Sequence, residues 1–301
     1  MSRIAYVNGA YLPQNQASVN IEDRGYQFAD GIYEVVHLHR GRFTDWDLHF
    51  ARLERSLREI RIAMPMARAP LERVLAEVAA RNRVTNGLIY MQITRGVAPR
   101  DHAFPKPGTP PSLVVTVRRI APYPTEIARW TTSVISHPDE RWARCDIKSV
   151  ALLPNVLARQ AAREQGASEA ILVDAAGMVT EGAATSFWIV DATGVLRCPP
   201  LTNAILPGCT RGALVAEMAA ENIPFEDRAF SLEEARHARE AFITSATSFV
   251  KPVTKLDGAP VADGEVGPLT RRLFAIFARH VQGALSNTAS NAANHANADR
   301  P

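Results

Sequence analysis

One lysine in this chain lies in a sequence context suited to chemistry that needs an amine. Only four of the 34 basic residues are lysines, and the rest are arginines. Because the arginine guanidinium cannot lose its proton in a protein, a group that must act as a nucleophile or a base is expected among the lysines. Lys148 follows Cys145-Asp146-Ile147 and stands ahead of a helix predicted to begin near Pro154. Taken alone, an ordinary surface lysine is the simpler interpretation. The lysines are Lys106, Lys148, Lys251 and Lys255.

A carboxylate between small residues is a second candidate. Glu181 stands in the run Val179-Thr180-Glu181-Gly182-Ala183, which follows a turn at 174–177 and precedes an apolar strand at 187–190. Such a carboxylate could face a ring nitrogen and keep it protonated by charge pairing in a partly dry site. A polar hairpin edge is the alternative interpretation of the same run.

Two further segments are suited to binding a phosphate. The run Pro207-Gly208-Cys209-Thr210-Arg211 leads into a predicted helix. A helix start offers unpaired backbone N–H groups and the positive end of the helix dipole. The turn Thr244-Ser245-Ala246-Thr247-Ser248 offers hydroxyl groups after a predicted strand. Each segment alone is equally typical of an ordinary helix start or loop, so neither identifies a phosphate site by itself.

Composition is typical of a soluble globular protein. The 301 residues are 47% hydrophobic, and the net charge of +3 gives no reason to expect nucleic acid or an anionic membrane as a partner. Cys145, Cys198 and Cys209 show neither paired spacing nor a metal-site pattern, which suits a reducing compartment. The N-terminus lacks a signal-peptide core, and no run of about 20 apolar residues could span a membrane. We therefore expect a cytoplasmic protein without a bound metal.

Turn signals predict two strand pairs in the N-terminal part of the chain. Asn8-Gly9 lies between short apolar runs at 6–7 and 11–12, a pattern typical of a tight hairpin. Arg40-Gly41 follows an apolar run at 33–38 and predicts a second turn between strands.

Helical spacing of apolar residues predicts helices that alternate with strands. The first long helix is predicted to begin near Thr44 or Asp45, either of which could cap it, and Leu53, Leu57 and Ile60 give it a core face. The other predicted helices span about 70–82, 154–165, 210–221 and 266–284. The other predicted strands span about 88–94, 112–118, 131–136, 169–174, 185–191 and 241–245.

A proline-containing stretch at 121–126 is the predicted linker between two domains. The small α/β domain is expected at 1–120 and the large domain at 127–285. Residues 286–301 are rich in Asn and Ala and have no apolar period, so this tail is predicted to be disordered. The expected fold class is α+β with two domains.

Together, these segments resemble a known pattern from about residue 4 to residue 284. The chain is similar to the fold-type IV pyridoxal-phosphate enzymes (the D-amino-acid aminotransferase and branched-chain aminotransferase type), and within them to the D-amino-acid (D-alanine) aminotransferases. In this order and at these separations the matching strings are specific for the fold type. They are Asp23–Val36 (DRGYQFADGIYEVV), His49–Leu53 (HFARL), Asp146–Ser149 (DIKS) and Val179–Gly182 (VTEG).

The resemblance implies a pyridoxal 5'-phosphate cofactor, bound by the large domain, and a role for each matching residue. Lys148 matches the Schiff-base lysine, which also carries the proton. Glu181 matches the partner of the pyridine nitrogen. Arg52 matches the phosphate-binding arginine, whose guanidinium fork suits a phosphate. The remaining matches are Cys209, Thr210 and Thr247 around the phosphate and Tyr33 beside the substrate.

The resemblance to the D-specific subfamily depends on Arg100 and His102. They stand in the segment Thr94–Pro105, and the pair resembles a trap for the substrate carboxylate. An arginine fork and a histidine donor can hold a carboxylate in one orientation. In the D-amino-acid aminotransferases this trap reaches in from the neighbouring subunit, so the resemblance also implies a homodimer. A solvated loop with two surface residues is the alternative interpretation.

Three alanines depart from the pattern of the family. Ala183 and Ala184 stand where the family often has serines, and Ala246 stands where it has a threonine. Each change removes a hydrogen bond to the cofactor worth about 0.5–1.5 kcal/mol. We expect these losses to affect cofactor binding and rate more than the class of reaction.

The activity implied is transamination from a D-amino acid to a 2-oxo acid, with Lys148 removing the α-proton and returning it. Three alternatives share the fold type: a branched-chain L-amino-acid aminotransferase, an (R)-amine transaminase and an aminodeoxychorismate lyase. Arg100 and His102 favour the D-specific interpretation over all three. A non-catalytic binding protein is an alternative from another class, but it would not need a lysine and a carboxylate at positions 148 and 181.

Overall fold

The computed structural model describes residues 3–283, and its helices and strands are spread over this whole range. The helices are α1 (Arg24–Phe28), α2 (Trp46–Glu59), α3 (Arg68–Arg81), α4 (Leu153–Glu164), α5 (Cys209–Ala220), α6 (Leu232–Arg236) and α7 (Pro268–Gly283). The first strands are β1 (Ile4–Val7), β2 (Ala10–Pro13), β3 (Gly31–His39), β4 (Arg42–Phe43), β5 (Gly87–Thr94) and β6 (Ser112–Arg119). The later strands are β7 (Thr132–Pro138), β8 (Glu169–Val173), β9 (Val179–Gly182), β10 (Ser186–Val190), β11 (Leu196–Cys198), β12 (Glu226–Asp227), β13 (Glu240–Ser245), β14 (Phe249–Leu256) and β15 (Ala259–Pro260). Within 3–283, no helix combines the length and the apolar character that crossing a membrane requires. The tail predicted at 286–301 lies outside the described residues.

The first six strands form an antiparallel sheet in the order β2-β1-β6-β5-β3-β4. The predicted hairpin between β1 and β2 is confirmed: Asn8 and Gly9 have φ of 45° and 100°, values that asparagine and glycine tolerate. Helices α2 and α3 cover one face of the sheet. Ile32, Leu53 and Leu75 are fully buried between these layers.

The later strands form a second, mixed sheet in the order β12-β11-β10-β13-β14-β7-β8-β9, with β15 paired to β14. Strand β7 pairs in parallel with both β14 and β8. Helices α5 and α7 contribute Leu214 and Phe277 to a core that also contains Trp188. The combination of helices with an antiparallel and a mixed sheet confirms the α+β class. The limits assigned to the two domains stay a prediction.

The segment from Ile147 to Val150 lies along strand β3 and fixes the backbone position of Lys148. The Tyr33 N–H donates to the Lys148 carbonyl at 3.0 Å, and the Val150 N–H donates to the Gly31 carbonyl at 3.0 Å. Ile147 is buried in the core of the first sheet. The backbone around Lys148 is therefore held along strand β3.

Several features differ from the sequence expectations. Helix α2 begins directly after Asp45, as predicted, but the prediction that a side chain of Thr44 or Asp45 caps it is wrong. The Asp45 carboxylate instead accepts a hydrogen bond from His280 of α7 at 2.7 Å, so it ties the two sheets together. The sequence patterns do not predict the short helices α1 and α6 or the strands β9, β11, β12, β14 and β15. Strand β14 contains Pro252, which lowers the apparent strand propensity of its sequence.

Candidate active site

A cavity of about 1010 Å³, a volume that includes its open mouth, lies where the two sheets meet. Strand β3, helix α2, strand β9 and the start of α5 all contribute to its wall. Seven of the nine residues proposed from the sequence line it, although they are spread over more than 200 positions of the chain. They are Tyr33, Arg52, Lys148, Glu181, Cys209, Thr210 and Thr247.

Lys148 is half-buried in the wall of this cavity. Its Nζ lies 4.2 Å from the centre of the Tyr33 ring. Tyr33 in turn stacks on Tyr90, with ring centres 5.9 Å apart. The stack limits where the Tyr33 ring can lie, so the lysine amine faces the cavity beside an aromatic surface. This placement suits a group that must reach a substrate atom.

Glu181 is almost completely buried on the same cavity wall, with a side-chain exposure of 7%. Its carboxylate pairs with the Arg141 guanidinium and accepts hydrogen bonds from the Leu206 N–H at 3.2–3.3 Å. Burial raises the pKa of Glu181 to about 7, although Arg141 and Lys148 both act to lower it. A carboxyl group with this pKa can gain or lose a proton near neutral pH.

Arg141 is a site residue that the sequence interpretation missed. Its side chain is 6% exposed, and its Nε and Nη2 donate to the Asp139 carboxylate at 2.9 and 2.8 Å. It also donates to the carbonyl of Ala204 at 3.0 Å. Nothing in the sequence distinguishes it from the other arginines, because its partner Glu181 is 40 positions away. Arg141 therefore lies fixed between two carboxylates, one of which faces the cavity.

Arg52 lies at another part of the cavity and is held by a second buried carboxylate. Its Nε and Nη2 donate to the two oxygens of Glu34, each at 2.7 Å, and its Nη1 donates to the carbonyl of Pro207 at 3.0 Å. Glu34 is 1% exposed. The two hydrogen bonds to Glu34 orient the Arg52 guanidinium beside the start of α5. The family resemblance predicts that a phosphate binds at this helix start.

His49 completes this cluster and was also missed as a functional residue, although it lies in one of the matching strings. Its Nδ1 lies 2.7 Å from Glu34 Oε2, and it hydrogen-bonds to Cys209. Burial opposes charge on the ring, but these two partners raise the pKa of His49 to about 9. Arg52 and a protonated His49 together hold the pKa of Glu34 well below its usual range despite its burial.

The start of α5 and the nearby hydroxyl groups fit a phosphate. Gly208 precedes the helix without a side-chain cap, and the first intrahelical bond runs from the Gly212 N–H to the Gly208 carbonyl. The N–H groups before Gly212 are therefore left for an anion. The buried Thr185 hydroxyl lines the same cavity and has no partner among the described residues. The Ser245 and Thr247 hydroxyls lie 3.0 Å apart at the cavity edge.

The three alanines that depart from the family pattern all line the cavity. Ala183 is buried and Ala184 is exposed, next to Thr185. Ala246 lies between Ser245 and Thr247 in the hydroxyl turn. These positions have no hydroxyl to offer to a bound group, and their neighbours Thr185, Ser245 and Thr247 provide hydroxyls on the cavity wall.

Arg100 and His102 do not line the cavity of their own chain. Both are exposed in the loop between β5 and β6 and contact Phe28. The Arg100 guanidinium lies 4.6 Å from the centre of the Phe28 ring, and the His102 ring centre lies 5.3 Å from it. Their expected role in a neighbouring subunit stays a prediction.

Comparison with known proteins adds an independent observation. The model of the family described as Amino-transferase class IV matches residues 31–256. A D-alanine aminotransferase of Listeria monocytogenes serotype 4b (strain F2365) is 38% identical over 276 residues, which cover 91% of this chain and 95% of that protein. A D-alanine aminotransferase of Staphylococcus haemolyticus is 38% identical over 277 residues, which cover 92% of this chain and 97% of that protein.

Solved structures show the same fold at lower sequence identity. A branched-chain aminotransferase from Thermoproteus uzoniensis with norvaline superimposes with a TM-score of 0.82 at 23% identity, covering 94% of this chain and 96% of that one. The branched-chain amino acid aminotransferase from Escherichia coli superimposes with a TM-score of 0.81 at 22% identity, covering 93% of this chain and 94% of that one.

Proposed function

The chain belongs to the class IV aminotransferase family, and from this premise we propose that it transfers amino groups from D-amino acids of the D-alanine type to 2-oxo acids. It is a pyridoxal-phosphate-dependent aminotransferase. The observation that carries the proposal is the cavity itself, where Lys148, Glu181 and Arg52 meet the uncapped start of α5. The substrate class is supported by the D-alanine aminotransferases that are similar over nearly the whole chain.

Each group of the cofactor has a candidate partner in the cavity. Lys148 would hold it covalently, and Glu181 would pair with its ring nitrogen. Its phosphate would lie against Arg52, the N–H groups at the start of α5 and the Thr247 hydroxyl. The residues at this helix start are Cys209 and Thr210, and both line the cavity. When bound, pyridoxal phosphate takes up the amine of the substrate and draws electrons away from its α-carbon.

Lys148 moves the proton in the proposed reaction. Lys148 Nζ lies beside the Tyr33 ring and, when not bonded to the cofactor, would be a free amine there. A neutral amine in this position would take the proton from the substrate α-carbon and later give it up to complete the transfer of the amino group. The segment paired to β3 keeps the lysine in place during both transfers.

Glu181 and Arg141 control the charge near the ring. Glu181 has a pKa of about 7, so a positively charged ring nitrogen beside it would favour its ionised form. Arg141, which also lines the cavity, holds the carboxylate in one orientation and supplies a permanent positive charge beside it. The pair therefore keeps a negative oxygen where the ring nitrogen is expected.

We assign the choice of enantiomer to Arg100 and His102 of a second copy of the chain in a homodimer. Only a hydrogen that points at Lys148 Nζ can be removed. The position of the substrate carboxylate therefore decides which enantiomer reacts. The exposed positions of Arg100 and His102, outside the cavity of their own chain, support a role in a neighbouring subunit. The composition and the cysteine content support a cytoplasmic location.

A donor panel tests this function. D-alanine and L-alanine, D-leucine and L-leucine, and an (R)-amine are each supplied with pyruvate or 2-oxoglutarate as acceptor. We expect D-alanine, and not L-alanine, to abolish the imine absorbance band and to sustain turnover. Turnover confined to L-leucine would identify a branched-chain enzyme, and turnover of the amine alone would identify an amine transaminase. Release of pyruvate from aminodeoxychorismate without amino transfer would identify the lyase.

Substitution of the lysine tests the assigned chemistry. Lys148→Ala is expected to lower turnover by at least about 10²–10⁴-fold, because it removes the group that carries the proton. Lys255→Ala is the matched control, since Lys255 is exposed on β14 and does not line the cavity. Retention of near-parental turnover by Lys148→Ala would show that the assignment is wrong.

A further inference from the structure

The loop between β5 and β6, residues 95–111, contains no helix and no strand, yet it carries Arg100 and His102. The two ends of the loop approach closely at Gly96, where a Cβ atom would lie only 2.0 Å from the carbonyl oxygen of Pro110. Gly96 also has a φ of 96°, so a larger residue is excluded there by both space and backbone conformation. The base of the loop is therefore narrow and fixed, and its tip needs other contacts to hold a defined shape.

A buried arginine from outside the loop supplies contacts to its backbone. Arg24, in α1, is 3% exposed. Its Nη1 donates to the carbonyl of Asp101 at 2.5 Å, and its Nη2 donates to the carbonyl of His102 at 3.4 Å. Its own N–H donates to the carbonyl of Gly96 at 2.9 Å. One residue thus contacts the loop at its base and at the positions that carry the proposed trap.

Asp30 fixes the orientation of Arg24. Its Oδ2 accepts hydrogen bonds from Arg24 Nε at 2.9 Å and from Arg95 Nε at 2.7 Å, and its Oδ1 accepts from Arg95 Nη2 at 2.9 Å. The two guanidinium groups lower the pKa of Asp30, although burial acts to raise it. A carboxylate that stays ionised between two buried arginines leaves each of them one favoured orientation.

Arg95, which also binds Asp30, contacts the part of the loop that follows His102. It donates to the carbonyls of Arg61 and Ile60 at 3.0 and 2.8 Å, which ties it to the end of α2. Its guanidinium also lies 3.7 Å from the centre of the Phe104 ring. Phe104 is 52% exposed, and this stacking on Arg95 holds the loop beyond His102.

Phe28 provides a surface for the side chains of the trap. Its ring lies 4.8 Å from the Arg24 guanidinium and 4.6 Å from the Arg100 guanidinium. The His102 ring centre lies 5.3 Å from it, with the planes inclined by 46°. Arg100 and His102 therefore share one aromatic contact, which restricts them to neighbouring positions even though both are exposed.

We propose that Arg24, Asp30, Arg95 and Phe28 are positioning residues that hold Arg100 and His102 ready to receive the substrate carboxylate, and so help to determine specificity for D-amino acids. The inference rests on the proposed function, because it concerns the same carboxylate site. The cluster contributes no atom to the cavity of its own chain. It acts through the backbone and side chains of the loop. Displacement of a positioning group by about 1 Å can lower a reaction rate about 10²-fold, so a small shift of Arg100 and His102 is expected to have a measurable effect.

Arg24→Lys is the main test, measured on the enzyme loaded with cofactor. Lysine keeps the positive charge next to Asp30, but it cannot donate to Asp30 and to both loop carbonyls at once. We expect the KM for D-alanine to rise about tenfold while kcat changes little, because carboxylate binding is affected and proton transfer by Lys148 is not. The ratio of D-alanine to L-alanine turnover is expected to fall, and the absorbance band of the bound cofactor is expected to stay in place.

Arg197→Lys is the matched control. Arg197 is also largely buried and also lies between two carboxylates, those of Asp191 and Glu226, but it lies on the second sheet away from the cavity. A loss of stability similar to that of Arg24→Lys is expected, with no change in KM. A second variant, Phe28→Leu, removes the aromatic surface and leaves the ion pairs intact, so it tests the same inference if Arg24→Lys folds poorly.

Combined substitution separates the role of the trap residues from that of the residues that position them. The double variant Arg100→Ala/His102→Ala is expected to raise the KM for D-alanine by itself. Adding Arg24→Lys to it is expected to raise KM no further, because residues that act through one another are not additive. If the double variant leaves KM unchanged, the carboxylate trap and the D-specific function are wrong. If it raises KM but neither Arg24→Lys nor Phe28→Leu does, or if the effects are additive, the trap stands and the positioning role is overturned.

Discussion

Glu181 lines the cavity and Glu34 binds the cavity residue Arg52, and the pKa values of these two buried carboxylates are shifted in opposite directions. The pKa of Glu34 lies well below its usual range, whereas the pKa of Glu181 is raised to about 7. Both are nearly inaccessible to solvent, at 1% and 6% exposure. Burial alone therefore cannot explain the difference. The difference in pKa is explained by the number of positively charged side chains that each carboxylate binds without sharing them with another carboxylate.

Glu34 has two positive partners, whereas Glu181 shares its only guanidinium. Arg52 binds both oxygens of Glu34, and His49 contacts it as well. Arg141 binds Glu181 but donates twice to Asp139. The phosphate end of the cavity thus holds fixed charges, and the ring end holds a group whose charge can adjust to a ligand. For a cofactor with a permanently anionic phosphate and a ring nitrogen that can lose its proton, each end suits the group expected there.

The largest predicted effect concerns the fixed charges. Glu34→Gln leaves Arg52 and His49 buried without their carboxylate, and the free energy of unfolding is expected to fall by about 3–5 kcal/mol. The affinity for pyridoxal phosphate is expected to fall with it, because Arg52 loses the partner that orients it. Urea unfolding and cofactor titration measure the two effects.

Glu226→Gln is the control for this substitution. Glu226 also pairs with an arginine, but its side chain is 52% exposed. An exposed ion pair contributes only about 0–1 kcal/mol, so a small loss is expected. Equal losses for the two variants would contradict the view that Glu34 holds the phosphate end together.

The second prediction concerns the adjustable carboxylate and the pH dependence of stability. The folded protein binds the proton of Glu181 more tightly than the unfolded chain does, because its pKa is about 7 when folded and 4.5 ordinarily. The contribution of this group to stability is therefore complete below pH 4.5 and is lost as the pH rises to 7. Without cofactor, the free energy of unfolding is expected to fall by about 2 kcal/mol from pH 5 to pH 7 relative to Glu181→Gln.

The comparison with Glu181→Gln removes the contributions of Glu34 and His49, because both proteins contain these two groups. The stability that Glu34 contributes is complete above its ordinary pKa of 4.5 and is lost only as the pH falls further. His49, with a pKa of about 9, contributes stability that is complete below pH 6.5 and is lost as the pH rises to 9. A difference between the parent and Glu181→Gln that is flat from pH 5 to pH 7 would show that Glu181 does not hold its proton as described.

The sequence predicts the elements and the residues of the site better than it predicts their partners. Lys148, Glu181 and Arg52 are recognised because each stands in a short string with a defined place in the chain. Their partners are determined by contacts between distant segments: Glu34 is 18 positions from Arg52, and Arg141 is 40 positions from Glu181. No periodicity or turn signal encodes such pairs.

The same limitation explains the errors in secondary structure. Strand β9 has only four residues, with a threonine and the carboxylate of Glu181 among them, so its sequence shows no alternation typical of a half-buried strand. All four residues are nevertheless buried, because β9 pairs with β8 and Val179 packs in a hydrophobic core of the second sheet. Asp45 similarly lies at a helix start in sequence, but contact with His280 determines where its carboxylate points.

The smallest predicted effect concerns Arg141, because its sharing between Glu181 and Asp139 distinguishes the ring end of the cavity from the phosphate end. Arg141→Lys keeps a positive charge near Glu181 but cannot bond Asp139 and Glu181 together as the guanidinium does. The pKa of Glu181 is therefore expected to rise further, and the acid limb of the pH profile of kcat/KM is expected to move to higher pH. At neutral pH, kcat/KM is expected to fall about tenfold, which corresponds to about 1.4 kcal/mol.

Arg197→Lys, a similar substitution far from the cavity, is expected to leave the profile unchanged. If Arg141→Lys also leaves the acid limb in place, then the sharing of Arg141 with Asp139 is not what distinguishes Glu181 from Glu34, and burial at the ring end must be the stronger influence.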